Sequence, residues 1–390
     1  MRLWFSYGGK NRVVLEQLVR AFNESQGDVH VQAVFQGDYY EALAKLRVAM
    51  AARDAPALSH VVGEIVPYLC EAGVLARFDR HEMQYARDVL PALGQSGSFR
   101  GGAQKPLVAL PFNRSTPIAY LNASMFREAA LTPPRTWTEL RETARSLTRS
   151  TAGRTTRYGF GCPIDWWFWA ALVGQAGGEL TAPDGSVTLG GEAGLAALEL
   201  WRSLVVTDGS MKPPPGRDYN AWEQTNQDFL AGRVAMIWTS TAFLKYLEEN
   251  ANFEIWAAPL PMQARLSVPT GGTHWVLPAS APAEERAAAA RFVDFMLSPS
   301  GAASFATNTG YIPVTNGAVR LLEAEGFFAK RPNWQVAMAQ LAHAAPWPWS
   351  PRLFRIQREI VQPRLERAIF GGGAARALLD EARGLAREGT

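Results

Sequence analysis

The sequence predicts an α/β protein built on a parallel sheet. Three observations predict it. Strand-like and helix-like patterns alternate over the first eighty residues. Strong amphipathic helices continue to the C-terminus. Short extended segments rich in proline or glycine break the pattern, and there is neither an internal repeat nor a low-complexity stretch.

The elements follow in order. Residues 2–5 form a short apolar strand, and Gly8–Gly9 turns the chain. Leu15, Leu18, Val19 and Phe22 recur at i, i+3, i+4 and i+7, one face of a helix. "VHVQAVF" (29–35) returns as a strand, a helix spans 40–52, and a buried strand lies at 58–62. Strand–helix–strand–helix–strand means parallel pairing. "LVALPFNRSTPIAYLN" (107–122) holds two extended apolar runs split by a polar turn, with Pro111 and Pro117. Thr136 is placed as an N-cap, and Glu139 three residues on closes a capping box. Helices follow at 195–206, 221–231 and 242–249. "VAMIWTSTAFL" (234–244) reads as strand, polar turn and helix start, and "VPTGGTHWVLP" (268–278) as a glycine-rich passage into another strand. "AAAARFVDFMLSPSGAASFATNTGYIPV" is a helix broken at Pro299, a second helix and an extended end. The remainder is helical around the loop "PWPWSPRLFR".

Composition narrows the function. A net charge of +3 with no basic run gives no stripe for nucleic acid. Six lysines stand against thirty-three arginines, a bias that fits a GC-rich or a heat-adapted source. Cys70 and Cys162 make no CxxC and have no nearby histidine, so they are read as two buried free thiols rather than a zinc site or disulfide framework. No stretch of 18 apolar residues suggests a membrane span. "MRLWFSYGG" reads as strand and turn, so the chain is either cytoplasmic or a processed secretory sequence with a new Met1.

Thirteen tryptophans ask for a use beyond packing. Four aromatic residues stand together in "CPIDWWFWAALVGQAGG": Trp166, Trp167, Phe168 and Trp169. On a helix, at about 100° per residue, they point around the whole circumference. Trp166, Trp169, Ala170 and Val173 share a side that makes a sensible core face. Trp167 falls with Ala171, Gly174 and Gly178, where a large ring among small neighbours could lie open to a cleft.

Seven markers occur in sequence: "FNESQGDVHVQAVFQGDYYEALAKL", "ARDAPAL", "LPFNRSTPIAYLN", "TWTEL", "FLAGRVAMIWTSTAFL", "GGTHWV" and "RFVDFMLSPSGAASFATNTGYIPV". Together they resemble the extracellular solute-binding proteins of ABC importers, family 1, nearest the bacterial glycerol-3-phosphate-binding periplasmic branch. The resemblance implies a two-lobed periplasmic-binding-protein fold, type II-like, with a ligand cleft and several hinge crossings. Lobe one would hold 1–112 and 274–312, and lobe two 116–272 and 313–390. The crossings would fall near 112–116, 268–274 and 311–315, each short, extended and rich in Pro or Gly.

The resemblance also implies a binding site. It places a ligand-stacking tryptophan at Trp167, with Trp166 beside it and Trp169 in the core. A phosphate needs fixed donors, helix starts, hydroxyls and preferably an arginine. Ser115, Ser240, Thr241 and the Gly271–Gly272 turn stand at the expected places, although Ser or Thr at a helix start also serves as a plain cap. Tyr311 and Arg352 match the family's tyrosine and arginine at the anionic end; the segment is shortened there, so Arg355 competes for the role. Tyr39 matches a tyrosine that meets glycerol hydroxyls, with Tyr40 as its core neighbour. Glu64 is the nearby acid, one residue later than the family pattern.

The function implied is capture of glycerol 3-phosphate or a glycerophosphodiester such as glycerophosphocholine. A di- or oligosaccharide is the alternative ligand. A sugar- or phosphate-processing enzyme is a third reading with little behind it, since GxSxG, HExxH and a complete Walker loop are all lacking and the five histidines are scattered. No catalytic residue, metal ligand or cofactor is expected. The implied partners are the small-molecule ligand and the importer's two membrane permease subunits, with no nucleic acid. The protein would act as a monomer outside the cytoplasmic membrane, free or lipid-tethered.

Overall fold

The computed structural model describes residues 1–6, 9–79, 81–94, 106–182 and 185–387. They form two compact units. Unit 1 comprises Met1–Ser115, Gly271–Lys330 and Trp349–Arg352; unit 2 comprises Thr116–Thr270, Arg331–Pro348 and Leu353–Thr390. In chain order the strands are β1 (Arg2–Phe5), β2 (Gln32–Phe35), β3 (Leu58–Val62), β4 (Ala109–Ser115), β5 (Pro117–Asn122), β6 (Arg149–Thr151) and β7 (Arg154–Gly161). After them come β8 (Met211–Lys212), β9 (Val234–Ser240), β10 (Ile255–Ala258), β11 (Val268–Pro269), β12 (Gly271–Val276) and β13 (Ala344–Ala345).

Unit 1 carries one sheet in the order β2-β1-β3-β12-β4. β1 pairs in parallel with β2 and β3, as alternation of strand and helix requires, and β12 runs antiparallel to both β3 and β4. The Gly9–Ser25 helix buries Leu15, Leu18, Val19 and Phe22, the face read from their spacing. Phe22 meets Phe292 and Phe295 of the Ala283–Leu297 helix, each at 5.3 Å between ring centroids. The turn assigned to Gly8 lies outside the described residues, and Gly9 already opens the helix. The Tyr39–Ala51 helix starts with a capping box: Asp38 accepts from the Tyr40 and Glu41 amides at 2.7 and 2.8 Å, and Glu41 accepts from the Asp38 amide at 3.2 Å.

Unit 2 has a sheet in the order β10-β5-β9-β7-β6, with β8 beside β7. Its core gathers the whole Trp166–Gln175 helix with residues from β5, β7, β9 and the C-terminal helices. Thr136 caps the Trp137–Leu147 helix as expected, accepting from the Glu139 amide at 3.2 Å. The return contact differs, because the Glu139 carboxylate accepts from Arg135 N, one residue early.

Boundaries depart from the sequence reading at three places. Gly271–Gly272 and Trp349–Arg352 belong to unit 1 rather than to the second lobe. Residues 313–330 were placed with the second lobe, after a crossing at 311–315, but they pack in unit 1. The cause is local hydrogen bonding. Leu90 N donates to the Val314 carbonyl at 2.9 Å, and Gly317 N donates to Asp88 at 2.5 Å. The chain passes between the units after Ser115, Thr270, Lys330, Pro348 and Arg352. The thiols also differ from expectation: both are free and Cys162 is buried, but Cys70 is half-exposed.

Candidate ligand-binding site

Every residue of β4 is buried, including the polar run Asn113–Arg114–Ser115. Polar groups in such a place must find partners. Asn113 Nδ2 donates to Tyr39 Oη at 2.8 Å and to Tyr311 Oη at 3.2 Å. Asn113 Oδ1 accepts from the Thr273 amide at 2.8 Å and from the Thr273 hydroxyl. A backbone amide only donates, so the Asn113 orientation is determined by Thr273. Both tyrosine hydroxyls then accept from Asn113, and they stand 3.3 Å apart. One donates to the other, and the second directs its proton away from Asn113. Tyr39 is placed by the capped start of its helix. Tyr311 is placed by the stack of its ring on Phe305, at 5.7 Å and 17°, and by its amide on Thr309 Oγ1. The structure thus joins two predicted site residues that are 272 positions apart.

Behind this group lies a buried charge. Arg114 is 1% exposed. Its Nη1 donates to the Gly272 carbonyl at 3.0 Å and lies 3.5 Å from His274 Nδ1. Burial lowers its pKa to about 10, while Glu64 and Tyr39 hold it up. It therefore remains a cation at neutral pH. Glu64 is buried on the turn Gly63–Ile65 that follows β3. His60 falls to about 3 because it is buried. Its Nε2 accepts from the Ser6 amide at 3.1 Å. His274 is pushed well below the usual histidine value, first by burial and then by Arg114, with the Leu93 carbonyl opposing. Both histidines are neutral at pH 7.

Gly272 has φ +90, and a Cβ there would lie 1.8 Å from the Asn113 carbonyl oxygen. The close approach that glycine permits here is to β4, at an irregularity in the β12–β4 register. Ser115, buried, pairs with Gly271 across the same ladder. Arg352 is half-buried, and its amide donates to Ser350 Oγ at 3.3 Å. Its rival Arg355 sits in an exposed pair with Glu359, 3.5 Å away.

In unit 2 the aromatic run forms the Trp166–Gln175 helix. Asp165 caps it by accepting from Trp167 N at 2.8 Å, and Gln362 Oε1 accepts from Trp166 N at 3.0 Å. Trp169 is wholly buried and donates to the Gly194 carbonyl. Trp166 lies against Trp169 and runs parallel to Trp347, at 6.1 Å and 11°. Trp347 is held by donation to the Thr270 carbonyl at 2.7 Å. Trp167 meets Trp222 at 5.2 Å, and Trp222 continues to Phe243 at 6.3 Å. Trp167 is 7% exposed, so the small-residue side does not leave it open. The indole N–H groups of Trp166 and Trp167 are buried without a hydrogen-bond partner among the described residues.

Ser240 and Thr241 are buried and structurally engaged. Ser240 Oγ accepts from Ala242 N at 3.1 Å, and Thr241 Oγ1 accepts from Thr116 N at 3.3 Å. Each hydroxyl keeps a proton it can donate.

Sequence reasoning missed Asn113, Arg114, Trp222, Phe243 and Trp347 as members of these clusters. Asn113 and Arg114 did carry a signal: two polar residues inside an apolar strand run need a reason to be there. The tryptophans carried none, since a lone aromatic on a helix or loop reads as packing. A separate cavity of about 400 Å³ opens in unit 2, where Arg141, Arg145 and Glu199 line it together with Trp137. It contains none of the predicted residues. Among the described residues there is no group of three or more metal-ligating side chains, and no helix is long and apolar enough to cross a membrane.

Comparison with known proteins agrees with this architecture. The chain is 26% identical to the sn-glycerol-3-phosphate-binding periplasmic protein UgpB of Escherichia coli O1:K1, over 97% of this chain and 90% of that protein. The Salmonella typhimurium UgpB is 25% identical over the same shares. Among solved structures, UgpB from Mycobacterium tuberculosis in complex with glycerophosphocholine superposes with a TM-score of 0.86 at 23% identity, covering 99% of this chain and 98% of that one. The GacH receptor of Streptomyces glaucescens, solved unliganded and with acarbose, gives 0.85 at 18% identity, covering 99% and 97%. These structures share the two-lobed fold. Residues 17–335 match the profile described as bacterial extracellular solute-binding protein. The chain belongs to that family.

Proposed function

We propose that this protein captures glycerol 3-phosphate or a glycerophosphodiester such as glycerophosphocholine, outside the cytoplasmic membrane, and delivers it unaltered to the permease of an ABC importer. It acts as a monomer, free or lipid-tethered. The observation that carries this reading is the Tyr39–Asn113–Tyr311 cluster, with Glu64 and Arg114 beside it. The Tyr39 hydroxyl and the Glu64 carboxylate are assigned to the glycerol hydroxyls, which both donate and accept, and the Tyr311 hydroxyl to the anionic end. Arg352 is assigned to the phosphate, with the Ser115, Ser240 and Thr241 hydroxyls and the Gly272 backbone as further contacts.

Unit 2 adds the aromatic component. Trp167, packed on Trp222 and largely buried, is assigned with Trp166 to a choline headgroup, an attraction worth about 0.5–2 kcal/mol once a ring is uncovered. The UgpB relatives, named for glycerol 3-phosphate, support the same ligand class.

A disaccharide is the second reading. Tryptophans assigned to a ligand serve a flat sugar ring as well as a choline headgroup, and a maltose-bound relative, T. maritima MalE3, shares the fold with a TM-score of 0.85. Calorimetric titration against glycerol 3-phosphate, glycerophosphocholine, maltose and trehalose separates the two. Micromolar or tighter binding of a phosphate compound, about 8 kcal/mol, is expected. Arg352→Ala should weaken it at least about tenfold, as loss of a charge-assisted contact does. Binding to disaccharides alone would retire the phosphate assignment and keep the transport role. Turnover of a bound ligand on prolonged incubation would overturn the non-enzymatic reading.

A further inference from the structure

We propose that Arg114 is a positioning residue for ligand recognition: its buried guanidinium holds the Glu64 carboxylate ionised and turned toward the ligand's hydroxyl groups. The inference rests on the assignment of Glu64 to the ligand site, and it gives a role to Arg114, which that assignment only places beside Glu64.

The geometry carries it. A guanidinium 1% exposed is costly unless a counter-charge and acceptors compensate it. One acceptor is the Gly272 carbonyl at 3.0 Å. The turn bearing Glu64 closes over the same group. A Cβ on Gly63 would come within 3.6 Å of Arg114 Nη1 and 3.1 Å of His274 Cε1. The Glu64 turn therefore packs in van der Waals range of the guanidinium and tightly on the His274 ring.

Among the described residues, Arg114 is a cation against which the turn bearing Glu64 packs. From β12 comes His274 and from β3 comes His60, both neutral at pH 7 because they are buried. From the start of the Tyr39–Ala51 helix comes Tyr39, and from β4 comes Arg114 itself. The Val66–Glu71 helix that follows the turn carries Tyr68, Cys70 and Glu71, none of them buried. Glu64 heads the interactions that keep Arg114 charged. A carboxylate so held accepts from hydroxyls and repels anionic groups, which sets the polarity of a ligand that enters hydroxyl end first.

Titration calorimetry with glycerophosphocholine, whose phosphodiester does not titrate between pH 5.5 and 8, tests this on wild type, Arg114→Gln, Arg114→Lys and Arg114→Gln/Glu64→Gln. Wild type and Arg114→Lys should bind with little change over the range. In Arg114→Gln the stranded carboxylate takes up a proton as pH falls, so affinity should drop about tenfold more than in wild type between pH 8 and 5.5. The double variant should lose that pH dependence. A purely structural arginine would weaken binding by one factor at every pH, and Arg114→Lys would do no better than Arg114→Gln; that result overturns the proposal.

Thermal melting of the ligand-free protein decides the same point without binding. Glu64→Gln alone strands the cation and should lower the Tm, and adding Arg114→Met should recover part of the loss. Strictly additive losses overturn the pairing. Should wild type bind neither glycerol 3-phosphate nor glycerophosphocholine, the ligand assignment falls while the melting cycle still judges the pair.

Discussion

His60 shows how a single residue ties the ligand cluster to the stability of unit 1. It is fully enclosed, meeting Phe112 and Trp275 edge-on at 5.2 and 5.7 Å and Tyr39 at 6.2 Å. Burial takes its pKa to about 3 from an ordinary 6.5. Between those values the unfolded chain binds a proton that the folded chain refuses. Stability from this group is therefore present above pH 6.5 and is lost as pH falls, by about 2 kcal/mol at pH 5. His274 acts in the same direction. Urea unfolding at pH 7.5, 6 and 5 should show this decline in wild type. His60→Gln, which can still accept from the Ser6 amide, should flatten it by about 2 kcal/mol over the range. An unchanged slope would mean that His60 charges within the fold. Little of this was legible in the sequence. The five histidines are scattered, and only the pairing of β1, β3, β4 and β12 brings His60 and His274 to the same buried layer.

Elements were legible where their determinants are local. The apolar stripe of the Gly9–Ser25 helix, the Thr136 cap and the break at Pro299 depend on residues within seven positions of one another, and all three occur as read. The Glu139 return contact, the extent of unit 1 and the neighbours of Trp167 depend on partners elsewhere, and there the sequence was silent or different. The Trp166–Gln175 helix combines the two cases. Its cap is local, since Asp165 accepts from Trp167 N at 2.8 Å, while its aromatic partners Trp222 and Trp347 lie 55 positions from Trp167 and 181 from Trp166. Asp165→Ala should cost about 1 kcal/mol of stability, the usual loss of an N-cap. Because the capped amide belongs to Trp167, the change should also loosen that ring and weaken ligand binding. Asp165→Asn keeps an acceptor and should retain most of both. Equal binding by the Ala variant, read by calorimetry beside its urea midpoint, would separate the cap from the site.

At the scale of the whole chain, connectivity sets how the protein unfolds. β12 sits between β3 and β4 in the unit 1 sheet, yet 155 residues, all assigned to unit 2, separate β4 from β12 in the sequence. The Ala283–Leu297 helix that completes the packing of Phe22 also lies beyond that insertion. A fragment ending at Ser115 would leave β4 without its partner strand, so it should not fold alone. The same interleaving means that unit 1 cannot release its sheet without freeing both ends of the unit 2 insertion. Differential scanning calorimetry of the ligand-free protein should therefore show one cooperative transition. Ligand at 100 times its Kd adds about 2.7 kcal/mol to the folded state. For 390 residues melting together, with an unfolding entropy near 0.8 kcal/mol/K at about 60 °C, that corresponds to a rise of about 3 °C in Tm. Two resolved transitions, only one of them moved by ligand, would show that the units melt independently despite their shared segments. Ligand would then be reporting on the stability of one unit rather than of the whole.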